Sequence, residues 1–352
     1  MSVVGLWIAV GSTHISPEYC KYLSLLGLAF PIFLTATLIV CLLSLLVAWR
    51  KTWITLLGLI VCAPAIHTYC PINLPTSTPK NPIKVMTYNT HGFGQLEKKT
   101  KINDSNGNNR VAMFIINEAP DIVGYQEGME PHPFKKNIAP LLKKLDYHAD
   151  SVSFAGNRLG CISKYPIVGK EKLCSHEGNG AAVFKVLYAP ADTILFIVTH
   201  LQSMKLTSGD RTKFNETVHN IIPDDDAKNK MIRPMLGILR KMAATSIPRA
   251  QQAQRVAEYI QRNADRKIIV CGDFNETPVS YTYNTIINAA NLEDAFVESG
   301  NGIGRTFNKH AMFVRIDHIL YSANHWTAHK GHVYKKHRMS DHYAVSALLT
   351  EK

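Results

Sequence analysis

Six short patches in the last three quarters of the chain each put a residue suited to phosphate chemistry at the end of an apolar stretch. They read TYN (Thr87 to Asn89), YQE (Tyr125 to Glu127), VTH (Val198 to His200), GDFN (Gly272 to Asn275), RID (Arg315 to Asp317) and SDH (Ser340 to His342). An Asp–His pair, a lone carboxylate, an Asp-x-Asn and a second histidine are the parts needed to hold a divalent metal, activate water and neutralise a phosphate. The set predicts a reaction, which no single patch does.

GDFN is the most specific piece. Gly272 permits a tight exit from a strand, and Asp273 and Asn275, two residues apart, point to one side of an extended chain. A carboxylate and a carboxamide converging there can orient a water and hold a phosphoryl oxygen, although an Asx turn would use the same residues. In SDH, His342 is suited to stabilise or protonate a phosphate oxygen, and Asp341 to help bind metal. Asp317 can hydrogen-bond a histidine and favour its charged form. Glu127 ends an apolar strand, and with Asn89 and Asp341 it offers the oxygen donors that Mg²⁺ prefers. His200 supplies an N–H donor for a phosphate oxygen. Taken singly, His200 and SDH are ordinary surface or turn residues; their weight comes from the whole set.

The elements that must position these residues follow from pattern. Ile83 to Tyr88, Ile122 to Gln126, Ala181 to Leu187, Ile194 to Thr199, Ile268 to Cys271, Ile316 to Tyr321 and Tyr343 to Leu349 are short, apolar and rich in β-branched or aromatic residues, which predicts strands. Arg110 to Glu118, Phe134 to Leu145, Met231 to Ala244, Arg249 to Asn263 and Tyr281 to Ala290 predict helices; in the fourth, Ala250, Ala253, Val256, Ala257 and Ile260 form a packing stripe. Glu97 to Asn109 and Thr207 to Lys230 are polar and read as loops. The second contains Asp224, Asp225 and Asp226, a solvated acidic run rather than a cation site.

Leu23 to Trp49 is a continuous apolar run, long enough to cross a bilayer, which takes roughly 20 residues. Arg50 and Lys51 follow, and Trp53 to Ile66 is apolar again. This predicts a hairpin of two transmembrane helices at about 23–49 and 52–69, with Trp49, Trp53 and Tyr69 at headgroup level. The basic turn lies on the cytoplasmic side, and everything after Tyr69 lies outside the cytoplasm. Val3 to Gly11 is apolar but too short to span; it reads equally as the end of a helix that begins before Met1 or as a segment lying on the membrane. A cleaved signal peptide fits poorly without a basic n-region. Residues 70–82 carry four prolines and predict a stiff, extended linker, and 83–352 a single α/β domain.

The formal charge is +12, yet the first 80 residues carry only four Lys or Arg and one Asp or Glu. The basic balance therefore belongs to the second part and favours anionic partners. The seven cysteines form no CxxC pair, which argues against a zinc site, and their odd number argues against a complete disulfide framework.

From Ile83 to Leu349, in this order, the patches resemble the endonuclease/exonuclease/phosphatase superfamily of DNase I-like phosphoesterases. The resemblance implies a four-layered α/β sandwich of two packed mixed sheets flanked by helices, and Mg²⁺ (or Mn²⁺) as cofactor. It implies that Asn89 and Glu127 bind the metal with Asp341 nearby, that Asp273 orients or deprotonates the attacking water, and that Asn275 and His200 bind the scissile phosphate. His342, oriented by Asp317, would stabilise the pentacovalent transition state. Gly156 to Gly160 looks like the family's GN motif before a strand, so Asn157 would also face the phosphate. Two departures stand out: His91 replaces an Asp found in abasic-site endonucleases, and Met204 to Pro248 is a long insert. Within the superfamily the chain is most similar to membrane-anchored bacterial members. The expectation is a membrane-tethered phosphodiesterase acting on nucleic acid or a phospholipid headgroup, with the bilayer and the substrate as its partners and no protein partner. A non-catalytic phosphate-binding module is the rival.

Overall fold

The structure, a computed structural model, describes all residues except 97–100, 208, 211, 213–224 and 310–313, and describes the backbone alone over 225–233. Part of the expected Glu97 to Asn109 loop, most of the Thr207 to Lys230 loop and Asp224 therefore lie outside the described residues. Residues 104–109 form a turn closed on the Asp104 carboxylate, which accepts from the N–H groups of Asn106 and Asn108 at 2.9 Å each.

Two compact units are present. The larger comprises 70–202, 252–275 and 285–352; the smaller comprises 1–69, 203–251 and 276–284.

Among its described residues the larger unit contains twelve strands: β1 (Ile83–Asn89), β2 (Ile122–Gln126), β3 (His148–Phe154), β4 (Asn157–Ser163), β5 (Ile167–His176), β6 (Asn179–Ala189), β7 (Asp192–His200), β8 (Lys267–Asp273), β9 (Leu292–Asp294), β10 (Asp317–Ser322), β11 (Trp326–Val333) and β12 (Val345–Glu351). They form two six-stranded sheets, ordered β11-β12-β1-β2-β4-β3 and β5-β6-β7-β8-β10-β9. Both sheets are mixed, because β1 runs parallel to β2 and β7 to β8 while the other pairs are antiparallel. The period of two decides what each face buries. Val85, Ile122, Leu159 and Ala347 of the first sheet share one core with Phe184, Phe196, Val198, Cys271 and Ile319 of the second. The alternate residues Met86, Tyr88, Val123 and Tyr125 pack with Phe114 and Ile115 of helix Arg110–Glu118 in another. Each such side chain, fully buried, contributes about 1.5–3 kcal/mol, so the strand ends carrying the six patches sit on a rigid floor.

Expected and observed elements differ in instructive places. β3, β5 and β11 are sheet edges with much of their surface exposed, so their sequences need not be apolar and they escape a hydrophobicity reading, while the fourth edge, β9, is buried but only three residues long, too short to show a period. The single helix expected over Phe134 to Leu145 is two, Pro131–Asn137 and Ala139–Lys143, because Pro140 can start a helix but cannot continue one. Conversely, the two helices expected on either side of Pro248 are one, Asp225–Arg262. Thr245 and Ser246 return their hydroxyls to the carbonyls of Met242 and Ala243, and Arg249 is buried against Glu276 and Thr245, which holds the turn through the proline. The 70–82 segment is extended but fastened: Asn73 donates to the carbonyls of Val297 and Gly300, and Gly302 N–H donates to Pro71 O.

In the smaller unit the expected apolar hairpin is shorter and more broken than the sequence suggests. Among the described residues one helix, Phe30–Val47, is long and apolar enough to cross a membrane, preceded by a separate helical turn at Ser24–Leu28. The second stretch is Thr52–Val61 followed by Ala63–Tyr69, bent by 59°. Pro64 stands at that break and cannot donate its missing N–H to the preceding turn. Val3 to Gly11 lies within a full helix, Ser2–Gly11, seated against Gly58, where an added Cβ would come within 2.5 Å of Val3. Small residues of this kind let apolar helices approach closely.

Candidate active site

Strand register alone brings three of the predicted residues together. β7 pairs with β8 so that His200 lies opposite Asp273, and β8 pairs with β10 so that Asp317 lies opposite Asp273 on the other side. Asp273 is thus flanked by one residue from each neighbouring strand. Gly272 precedes it at φ 139, where an added Cβ would stand 2.0 Å from the Thr199 carbonyl oxygen; only glycine fits that strand exit. Beyond it, Asn275 adopts a left-handed conformation (φ 52), and its N–H caps Asp273 Oδ1 at 2.8 Å.

On the other sheet, Asn89 ends β1 opposite Gln126, and Glu127 turns away from β2 at φ 49. Hydrogen bonds from Thr90 N–H to Gln126 O and from Gly92 N–H to Glu127 O fix that turn. Ser340 ties the SDH patch to the same place by donating its hydroxyl to Asn89 O at 2.7 Å and accepting from His342 N–H at 3.2 Å.

The side chains then form a connected set. His342 Nδ1 donates to Asp317 Oδ2 at 2.8 Å, and its Nε2 faces Asp273 Oδ2 at 3.6 Å. All three residues are buried. Burial alone would lower the His342 pKa, but the charges of Asp317 and then Asp273, with the Asp317 hydrogen bond, outweigh it and hold it well above the ordinary value. Burial pushes the Asp273 carboxyl above its ordinary range, while His342, His200 and the Asn275 N–H pull it back. The result is an imidazolium clamped between two carboxylates, one of them an unusually basic one.

His200 has a defined tautomer by deduction. Arg158 N–H donates to Asn157 Oδ1 at 2.6 Å, which orients the amide so that Asn157 Nδ2 donates to His200 Nδ1 at 2.7 Å. His200 Nε2 therefore carries the proton, and it lies 3.6 Å from Asp273 Oδ2 and 3.7 Å from Glu127 Oε1. Asn157 stands behind His200 as its orienting partner.

Two neighbouring carboxylates are bridged by an amide. Asn89 Nδ2 lies 3.1 Å from Glu127 Oε1 and 3.2 Å from Asp273 Oδ2. The partial positive charge of an amide N–H₂ here stands between oxygens that a hard divalent cation would also take, so the donor set fits Mg²⁺ or Mn²⁺. Asp341, the third expected ligand, pairs with His91 Nδ1 at 3.3 Å. A different trio, Asp273, Asp317 and His342, brings one ligand atom each within 4.8 Å and is also close enough to hold an ion. Its histidine already gives Nδ1 to Asp317, so only Nε2 would be free to coordinate.

The sequence-predicted residues accordingly fall into a tight group (Asp273, Asp317, His342, His200, Asn157, Asn89 and Glu127) and two with other attachments. Asn275 donates its amide to Leu201 O at 2.9 Å, fastening the GDFN turn to the end of β7. Asp341 faces His91. Two members were not anticipated: Ser340, which joins SDH to β1, and His91 as the partner of Asp341. Ser340 stands in the SDH patch and His91 at the departure from the family pattern, but their types and spacing assign neither of them a role.

Residues 86–342 match the model of the Endonuclease/Exonuclease/phosphatase family, and residues 1–69 match a domain of unknown function. No curated protein matches the chain. Among solved structures, the human Nocturnin catalytic domain with bound sulfate aligns at 17% identity and a TM-score of 0.53, covering 77% of this chain and 94% of that one. An endonuclease/exonuclease/phosphatase from Beutenbergia cavernae aligns at 17% identity and 0.51, covering 77% and 72%. A 3'-5' exonuclease from Neisseria meningitidis aligns at 15% identity and 0.50, covering 75% and 98%. These likenesses establish the two-sheet fold.

Proposed function

Because the chain belongs to the endonuclease/exonuclease/phosphatase family of metal-dependent phosphoesterases, we propose that it hydrolyses phosphodiesters by in-line attack of a water that Asp273 deprotonates. The observation that carries this reading is the His342 ring held between Asp317 at 2.8 Å and Asp273 at 3.6 Å in a buried setting. Asp317 keeps the ring cationic and fixes its orientation. Nε2–H then faces the oxygen on which charge gathers as the phosphate becomes pentacovalent, where a preorganised donor contributes most. Asp273 takes the water's proton, aided by its raised basicity and oriented by the Asn275 N–H. His200, turned by Asn157, gives a second N–H to a non-bridging oxygen, and Asn275, its amide held by Leu201 O, has one remaining Nδ2–H to add. A divalent ion held by Glu127 and Asn89, with Asp341 nearby, supplies Lewis-acid polarisation of the phosphoryl group when bound.

Tethering to a bilayer is part of the same proposal. Its support is helix Phe30–Val47, whose Ile32, Leu38, Ile39, Leu42, Leu43, Leu45 and Leu46 are exposed, followed by Trp49, Arg50, Lys51 and Trp53. In this reading 1–69 is the anchor, 70–82 the linker and 83–352 the catalytic domain, held outside the cytoplasm with the Arg50–Lys51 turn inside. The 59° bend at Cys62 fits either a broken span or a second topology, in which that stretch re-enters and the catalytic domain stays on the cytoplasmic side.

Two measurements test the proposal. The full chain in detergent with Mg²⁺ should hydrolyse bis-p-nitrophenyl phosphate faster than p-nitrophenyl phosphate, and a monoester preference would overturn the diesterase assignment. Protease accessibility of the 70–82 segment in sealed vesicles of known orientation reads the topology directly.

A further inference from the structure

A cavity of about 640 Å³ opens beside β11, lined by Phe296, His332, Tyr334, Lys335, Lys336 and His337 among others. It starts close to the catalytic centre. Val333 pairs with Val345, and Tyr334 N–H donates to Ala344 O at 3.0 Å, two residues from His342. Lys335 and Lys336, with Arg338 next along, are exposed, and none of the three has an ion pair among the described residues. The one carboxylate in the lining, Glu118, is already engaged by Lys84 Nζ at 2.9 Å. The cationic charge on this wall is thus uncompensated.

The cavity is also aromatic. His337 lies over Phe114 with ring centroids 4.5 Å apart, Tyr334 meets the same Phe114 ring at 5.3 Å, and His332 meets Tyr334 edge-on at 4.7 Å. Planar rings set among unpaired lysines are what a single-stranded nucleic acid recognises: bases stack on rings, and the backbone meets the cations. A lone inorganic phosphate would use the lysines but not the rings. A phospholipid headgroup at a bilayer surface would need neither a cavity of this size nor flat faces to stack on.

We propose that this cavity is a nucleotide-binding subsite that holds a base and phosphate of single-stranded nucleic acid flanking the phosphodiester at His342. The proposal deepens the phosphodiesterase reading by naming the substrate class, but its binding test does not depend on turnover.

The test uses the full chain in detergent, as wild type, as the Lys335→Glu/Lys336→Glu double variant and as His337→Ala. Binding of a fluorescent single-stranded oligonucleotide is followed by anisotropy in EDTA across a salt series. The double variant should bind at least about tenfold more weakly and lose about 1.4 from the salt slope, about 0.7 per single-strand phosphate contact removed. His337→Ala should weaken binding by about tenfold with the slope unchanged, the signature of a lost stacking contact. Hydrolysis of bis-p-nitrophenyl phosphate, which needs only the catalytic centre, should stay at the wild-type rate in both variants. Unchanged affinity and slope in the double variant would overturn the subsite. So would binding to anionic phospholipid vesicles, but not to the oligonucleotide, that the lysine changes abolish. Loss of all hydrolysis in the wild type would instead count against the catalytic reading and leave the binding result to decide the subsite.

Discussion

Replacing Asp317 by Asn tests the logic of the centre with little change of shape. The amide oxygen can still accept from His342 Nδ1–H, so the 2.8 Å contact and the ring orientation can persist. What disappears is one negative charge beside a buried imidazolium. Breaking a buried ion pair by removing one partner costs about 3–5 kcal/mol. Here the retained hydrogen bond returns about 1 kcal/mol of that, because neutral hydrogen bonds are worth roughly half of charged ones. If the remaining 2–4 kcal/mol or so falls on the transition state, where His342 must be cationic, kcat drops about 30- to 10³-fold at about 1.36 kcal/mol per decade. KM should hardly move, because Asp317 faces the ring and not the substrate. The charge of Asp317 is the largest influence holding the His342 pKa up against burial. The variant's imidazole therefore loses its proton at lower pH than the wild type's, and the activity gap should widen as pH rises. The assay is hydrolysis of bis-p-nitrophenyl phosphate by the full chain from pH 6 to 9, with circular dichroism to confirm folding. A folded Asp317→Asn protein at wild-type kcat, or one whose deficit shrinks with rising pH, would refute the assignment of His342 as a cation held by Asp317.

Three further outcomes are expected. Gly272→Ala should destabilise the chain by about 3 kcal/mol or more, read by chemical denaturation, because it combines a positive φ with a 2.0 Å approach to Thr199 O. Glu127→Gln should raise the Mg²⁺ concentration needed for half-maximal activity by at least about tenfold while saturating metal restores most of the rate. Asp294, buried, caps helix Ala295–Ser299 and faces His318 Nδ1 at 3.3 Å; burial would raise its pKa, but His318 and Arg315 bring it down to about 2. A depressed carboxylate stabilises the fold fully above its unfolded value of 3.8 and ceases to do so as pH falls towards 2. The Tm gap between wild type and Asp294→Asn should therefore close between about pH 4 and pH 2, and a gap independent of pH would remove the charge from the explanation.

Most central strands and the site were legible in the sequence for the same reason, β4 (Asn157–Ser163), with its Asn, Arg, Gly and Ser, being the central strand that the apolar pattern did not predict. Strands buried on both faces must be apolar, as in Ile194 to Thr199 and Ile268 to Cys271, so a carboxylate or histidine at their ends stands out. Edge strands lack that constraint: β5, with its Lys-Glu-Lys, and β3, with His-Ala-Asp-Ser, pair through their backbones and leave little trace in side-chain pattern. The roles within the site were less legible than its membership. Nothing in GDFN says that Asn275 would turn its amide to Leu201 O, since that contact joins residues 74 apart in sequence. The proline signals pointed in opposite directions as well. Pro140 divides a helix expected to run through it, whereas Pro248, expected to separate two helices, is carried through because neighbouring hydroxyls and the buried Arg249 fasten the turn.

The most direct measurement is hydrolysis of bis-p-nitrophenyl phosphate by the full chain in Mg²⁺, set beside Asp273→Asn, His342→Ala and an EDTA-treated sample. The account predicts turnover by the wild type that falls by at least about 10³-fold in each variant, with both folded, and that stops in EDTA and returns on adding Mg²⁺ or Mn²⁺. Undiminished hydrolysis by a folded Asp273→Asn protein, or turnover indifferent to EDTA, would contradict it.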